Sequence, residues 1–307
     1  MLKVIVPTLN AGADWPRFAP ALLSNVRPEQ VLLVDSESTD DTVRLAQAAG
    51  IAVKTISRAS FDHGGARQMA AEMFPDAEIL VYLTQDAVLA DGHAISKLMG
   101  AFRDPLVAAA YGRQLPRPSA KPIEAHAREF NYPNIPTVRD LGSREQLGFK
   151  AIFISNSFAA YRRSALMGVG GFPKQLIFGE DTVTAARLLF SGLKIAYVAE
   201  ACVYHSHDNS WRQEFKRYFD IGVLHSRESW LLEEFGGTGG EGKRFVFSEL
   251  KYVGKRSPML IPSVLVRTAL KLIAYKVGKQ EAQLSPQIKR RLSMQPKFWT
   301  SKSQGPS

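Results

Sequence analysis

Asp181, in the run Phe178-Gly179-Glu180-Asp181-Thr182, follows a glycine and opens a helix-like segment that continues through Phe190. A carboxylate projecting from a helix N-terminus into a cleft can take a proton; the same position also satisfies free backbone N–H groups and the positive end of the helix dipole. Its neighbour Glu180 lies about 100° away around a helix, so the two acids do not naturally face one site. Asp86 ends the apolar run Leu80-Val81-Tyr82-Leu83-Thr84-Gln85-Asp86 and is placed to hold a hard divalent cation, Mg2+ or Mn2+. Such an ion stabilises the charge that builds on a departing nucleoside diphosphate. One carboxylate is too few for a shell, and Val203-Tyr204-His205-Ser206-His207-Asp208 supplies two imidazoles, each either a ligand or structural. Asp35 closes the buried run Val31-Leu32-Leu33-Val34, where an acid can accept a hydrogen bond from a nucleotide base or ribose.

The elements that must carry these groups alternate. Apolar β-branched runs at 3–7, 30–34, 52–57 and 79–83 are separated by helical patterns at 15–25, 40–49 and 65–74. That alternation predicts βαβ units and a mainly parallel α/β sheet flanked by helices. Ligands in such sheets bind beyond the strands' carboxyl ends, here Thr8, Asp35 and Thr84-Gln85-Asp86. From Gly92 the pattern turns mixed, and 116–136 is a proline-rich stretch without clear periodicity, read as a long functional loop. Regular structure resumes at 149–158, at the Asp181 helix and at 195–205. In 211–227, Trp211, Phe215, Phe219 and Val223 recur at four-residue spacing, a core-packing pattern.

The chain has 307 residues, 45% of them apolar, ample for a buried core. Its single cysteine, Cys202, excludes an internal disulfide and a cysteine-based zinc site, and fits a reducing compartment. Met1-Leu2-Lys3 leads straight into a strand ended by Pro7, so no secretory signal is read and the cytoplasm is the expected location. The net charge of +10 is carried by residues 243–291, with twelve Lys and Arg against Glu249 and Glu281. A balanced remainder argues against nucleic acid as a partner. The glycine-rich run 236–242 reads as a flexible hinge, dividing a catalytic domain at 1–235 from a basic helical C-terminal region at 243–307. Residues 258–277 are apolar but interrupted by Pro262, Arg267, Lys271 and Lys276, a poor membrane span. Read as a helix, they set Arg267, Lys271 and Lys279 near one side and Val264, Leu265, Leu272 and Ile273 on an apolar face. That is the pattern of a peripheral helix lying on a membrane's inner face, or of a domain helix with a solvated basic side.

Taken in order, Val4-Ile5-Val6-Pro7-Thr8, Val34-Asp35-Ser36-Glu37-Ser38-Thr39-Asp40, Thr84-Gln85-Asp86, Glu180-Asp181 and a trailing histidine resemble the family 2 glycosyltransferases of the GT-A fold, over about 200 residues. More narrowly, Phe61-Asp62-His63-Gly64-Gly65-Ala66-Arg67, Ile154-Ser155-Asn156-Ser157 and His205-Ser206-His207 look like bacterial rhamnosyltransferases that build surface polysaccharides. The resemblance implies a nucleotide pocket lined by Thr8, Asp35, Arg67 and Gln85, with Arg67 approaching the base or diphosphate. It implies a metal held by Asp86 and His205, with His207 as the alternative, and Asp181 as the base. Ser155, Asn156 and Glu180 fall on the acceptor side. Thr84 stands where many members carry the first aspartate of the Asp-X-Asp motif.

The implied reaction is inverting transfer from a nucleotide sugar, dTDP-rhamnose, to a hydroxyl of a lipid-linked glycan. Inversion needs one carboxylate near the reacting carbon, unlike glycoside hydrolysis with its flanking pair. Two rivals are a sugar-1-phosphate nucleotidyltransferase, whose basic loop is missing from Asn10-Ala11-Gly12-Ala13-Asp14, and a noncatalytic scaffold binding glycan or membrane through the basic tail.

Overall fold

A computed structural model describes residues 1–59, 61–237 and 239–300; Thr238 of the glycine-rich run and residues 301–307 of the C-terminal region lie outside the described residues. The first half follows the expected alternation: β1 (Leu2–Thr8), α1 (Trp15–Leu23), β2 (Val31–Asp35), α2 (Thr42–Ala48), β3 (Ala52–Thr55), α3 (His63–Glu72) and β4 (Ile79–Leu83). Then come β5 (Val88–Leu89), α4 (Ala94–Met99), β6 (Val107–Leu115), α5 (Pro122–Asn131), β7 (Thr137–Arg139), α6 (Arg144–Leu147), β8 (Phe158–Arg162), α7 (Arg163–Gly168), α8 (Glu180–Phe190) and β9 (Lys194–Tyr204). The C-terminal part is helical: α9 (Trp211–Arg227), α10 (Trp230–Phe235), α11 (Gly239–Arg256), α12 (Ile261–Lys279) and α13 (Pro286–Leu292).

The strands form one sheet in the order β3-β2-β1-β4-β8-β6-β9-β5, with β7 on β9. Its first four strands are parallel, as the alternation predicts. Beyond β4 the sheet is mixed: β8 runs antiparallel to both neighbours, while β6 and β9 are parallel to each other. Both faces are covered, and the period of two sorts side chains between them. Ile5, Leu32, Val34 and Tyr82 enter one core, and Val4, Val6, Leu33 and Val81 the other. Continuous burial along these strands is what a sheet sandwiched between helices requires.

Two expectations change here. The proline-rich stretch contains α5, started by Pro122 in its first turn, where a missing N–H costs nothing. The glycine-rich run is not a free hinge, because α11 begins at Gly239 and Glu241 in its first turn pairs with Lys150 at 2.9 Å.

The C-terminal helices pack on the sheet domain. A Cβ on Gly222 of α9 would lie 2.3 Å from the Tyr275 carbonyl, and one on Gly278 of α12 would lie 2.1 Å from that of Phe219, so the two helices meet backbone to backbone. Phe219, Val223, Ala274 and Trp299 form a third core there. Arg267 and Lys271 do not form a solvated basic face, since both turn inward to Glu214 of α9 at 2.9 and 3.6 Å. Val264 is buried, whereas Leu265, Leu272 and Ile273 point outward, each more than half exposed. Among the described residues, Pro258–Lys279 is by length and composition long and apolar enough to cross a membrane.

Candidate active site

The strand pairing that brings Asp86 to the histidines is short. Val88 of β5 lies opposite Tyr204 of β9 in antiparallel register, and continuing that register sets Asp86 across from the His205-Ser206-His207 run. Asp86 Oδ2 is 3.4 Å from His205 Nε2 and 3.2 Å from His207 Nε2, and the two Nε2 atoms are 3.0 Å apart. Three donor groups thus converge with their ligand atoms within 4.8 Å of one another. Burial pushes the Asp86 carboxyl up, but the His205 and His207 imidazoles outweigh it and hold it far below the usual carboxylate range. Burial, reinforced by His205, pulls His207 down to about 4, which leaves a neutral imidazole with a lone pair to share. His205 Nδ1 meets Gln114 Oε1 at 2.9 Å; the amide oxygen accepts, so Nδ1 carries a proton and Nε2 is the nitrogen turned toward Asp86. One carboxylate and two imidazole nitrogens fit a divalent transition-type cation, and both histidines belong to the cluster.

Asp181 is reached from the other side. β8 enters the sheet beside β4, with Thr84 N–H donating to the Ser157 carbonyl, which brings Ser155 and Asn156 to the same edge. Asn156 then binds the start of α8: its backbone N–H donates to Asp181 Oδ2 at 3.2 Å, and its side-chain amide donates to Glu180 Oε1 at 3.1 Å. The N-cap of α8 is Gly179, with φ +83° and no side-chain cap, so Asp181 is not the capping residue. Burial, followed by the charge of Glu180, pushes the half-buried Asp181 up to about 7. Burial also pushes Glu180 up, but Arg67 and His63 outweigh it and keep Glu180 ionised.

Arg67 corrects an expectation. Its guanidinium is buried against Glu180 at 3.1 Å and also donates to the His63 carbonyl, so it is engaged beneath α8 rather than presented to a diphosphate. A cation this deep needs a carboxylate partner, and Glu180 is that partner. Glu180 and Asn156 are likewise turned inward, away from the acceptor-side roles expected of them. The Asn156 oxygen accepts from Tyr161 at 2.8 Å, and Ser155 Oγ accepts from Gln114 at 3.0 Å. Gln85 also differs: its amide accepts from Leu9 N–H at 2.7 Å and donates to Leu9 O at 3.0 Å, stapling the end of β4 to that of β1.

Thr8 and Asp35 are register partners at the ends of β1 and β2. The buried Thr8 hydroxyl donates to Val6 O. Asp35 Oδ2 accepts from Ser38 N–H, while its Oδ1 is buried with no hydrogen-bond partner among the described residues. An orphaned buried carboxylate oxygen calls for a donor.

Sequence reasoning missed Gln114, Glu124 and Arg128. Arg128 Nη1 donates to Gln114 Oε1 at 2.6 Å and pairs with Glu124 one turn back at 3.0 Å, and Glu124 accepts from His207 N–H at 3.0 Å. The only signal was the i,i+4 pair, hidden in the stretch read as a loop.

Comparison with known proteins agrees with this geometry. The glycosyl transferase family 2 model matches residues 3–170. The O-antigen chain rhamnosyltransferase RfbN of Salmonella typhimurium is 44% identical over 98% of this chain and 96% of its own. WbaN of Salmonella anatum, of the same description, is 43% identical over 97% and 95%. Among solved structures, the mannosyltransferase PcManGT from Pyrobaculum calidifontis, in complex with GDP-Man and Mn2+, superposes with a TM-score of 0.62 at 16% identity, covering 92% of this chain and 88% of that one. S. aureus TarS 1-349 with UDP-GlcNAc does so at 0.54 and 13%, covering 92% and 91%. The fold is thus the GT-A fold, and the chain belongs to glycosyl transferase family 2.

Proposed function

We propose that this glycosyltransferase moves rhamnose from dTDP-rhamnose to a hydroxyl of a lipid-linked glycan during surface-polysaccharide synthesis, with inversion at the anomeric carbon, at the cytoplasmic face of the membrane. The observation that carries this reading is Asp181, a half-buried carboxyl pushed up to about 7 at the same sheet edge as the Asp86–His205–His207 cluster. A base titrating near the working pH both accepts and releases a proton readily. The descriptions of the two Salmonella relatives support rhamnose as the sugar and O-antigen as the product class.

The nucleotide lies over Thr8 and Asp35, where the free Asp35 Oδ1 takes a donor from the base or ribose. Asp86, His205 and His207 would hold Mg2+ or Mn2+, which supplies positive charge to the departing diphosphate. Asp181 removes the acceptor proton as the hydroxyl oxygen attacks the anomeric carbon, the sugar–phosphate bond breaks, and dTDP leaves with the bonding pair. Asn156 fixes the Asp181 carboxylate through its backbone N–H, and burial together with the charge of Glu180 keeps Asp181 basic, while Arg67 keeps Glu180 ionised. The test is a donor screen with the purified protein, reading nucleotide diphosphate released from dTDP-, UDP- and GDP-sugars. Release of dTDP from dTDP-rhamnose alone is expected; turnover of another donor in its place overturns the sugar assignment.

A further inference from the structure

The outward side of α12 is inverted relative to an ordinary surface helix. Pro262, Leu265, Val266, Ala269, Leu272 and Ile273 are exposed at helical spacing, whereas the cations Arg267 and Lys271 point inward to Glu214. A surface helix normally shows charge to water; α12 buries Val264 and Ala274 on its inner side yet also shows this apolar stripe, with exposed Lys276 and Lys279 only in its last turn. Within α12 only Val264, Ala274 and Gly278 are buried. Beside the stripe, between α9, α12 and α13, lies a groove of about 440 Å³ that is lined by Arg212, Lys216 and Arg291 together with Trp211 and Leu270, and by no acid. Lys216 donates to the Ser293 carbonyl; Arg212 and Arg291 are exposed and have no ion-pair partner among the described residues. Leu270 joins the two features, since it lines the groove and neighbours Val266 and Ile273 at helical spacings of four and three.

From this we infer that the groove and the stripe form one docking surface for an anionic phospholipid bilayer, with lipid phosphate in the Arg212–Arg291 groove and acyl chains against Leu265, Leu272 and Ile273. The groove's charge is complementary to a phosphate, and Trp211, one of its two aromatics, is the type that settles at a bilayer's interfacial level. The apolar stripe beside it needs a hydrocarbon phase, which a soluble phosphate does not bring. A spanning role for α12 is disfavoured by its backbone-to-backbone contact with α9, which keeps one side of the helix occupied. The surface starts at the N-terminus of α9, and only Asp208–Ser210 separate Trp211 from His207, so bilayer contact sets the cation cluster near the membrane plane. This deepens the reading of a lipid-linked acceptor, yet its test requires no sugar transfer, so either reading can fail while the other stands.

The test is co-sedimentation of the full-length protein with vesicles of phosphatidylcholine alone and with vesicles containing about a third phosphatidylglycerol. Wild type is expected to partition at least about tenfold more strongly onto the anionic vesicles. The double variant Arg212→Gln/Arg291→Gln is expected to lose most of that preference, and Leu272→Ser/Ile273→Ser to weaken binding to both vesicle types. Thermal melting shows that each variant is folded. Anionic partitioning of the arginine double variant at the wild-type level, or equal wild-type binding to both vesicle types, overturns the inference. So does displacement of the protein from anionic vesicles by inorganic phosphate at unchanged ionic strength, which would assign the groove to the free ion.

Discussion

Glu180 and Asp181, adjacent in the chain, hang on the same residue: Asn156 gives its side-chain amide to the first and its backbone N–H to the second. The two carboxylates are thereby fixed as neighbours with different fates. Glu180 is buried on Arg67 and stays charged, and its charge joins burial in holding the Asp181 proton.

Replacing Asp181 with Asn removes the base and keeps an acceptor for the Asn156 N–H. Turnover is expected to fall about 10²- to 10⁴-fold, with nucleotide-sugar affinity unchanged by calorimetry. The same variant should melt at a higher temperature than wild type at pH 8. The folded-state pKa of Asp181 lies above its unfolded value, so the stability it contributes is present at low pH and is lost as pH rises through about 7. The difference in melting temperature should therefore close as pH falls toward 4.

The pH–rate profile of the wild-type enzyme should lose activity as pH falls through about 7, because protonated Asp181 cannot accept the hydroxyl proton. Glu180→Gln removes the neighbouring charge, so the acid limb is expected to move to lower pH. A limb that stays in place would assign the titration to another group.

Arg67→Met leaves Glu180 charged and buried, a change expected to cost about 3–5 kcal/mol in chemical denaturation. Adding Glu180→Gln should restore a substantial part of it. Full loss of nucleotide affinity in a folded Arg67→Met protein would return Arg67 to the donor pocket.

Added Mn2+ should raise the melting temperature of wild type by mass action, and Asp86→Asn should abolish the rise. Gln114→Leu removes the acceptor that fixes the His205 tautomer and is expected to weaken Mn2+ about 10- to 100-fold in the same thermal titration.

A chain ending at Glu241 would strip α12 from Gly222 and remove Trp299 from the third core. It is expected to express as aggregated or strongly destabilised protein; a monomeric, cooperatively melting product would show that the catalytic half stands alone.

Much of this site was legible because strand ends announce themselves. Thr8, Asp35 and Asp86 each follow an apolar run, and the sheet delivers them to one edge. Asp181 was visible as an acid after a glycine. The partners of Arg67 and Gln85 were hidden, because a side chain that serves a distant backbone or a buried acid looks the same in sequence as one that serves a ligand. The helix α5, with Glu124 and Arg128, was hidden for a second reason, a proline-rich entry that masked its ten residues. The inverted α12 followed from Glu214, more than fifty positions upstream, which no local periodicity could reveal.

The pairing of Val88 with Tyr204 has a consequence for the life of the chain on the ribosome. Asp86 is made early, but the imidazoles that complete its cluster emerge more than a hundred residues later, just past the end of β9. A nascent chain therefore has no complete cation site until the sheet closes. A chain that stops short of His207 carries Asp86 without the two imidazoles that stand beside it in the folded protein.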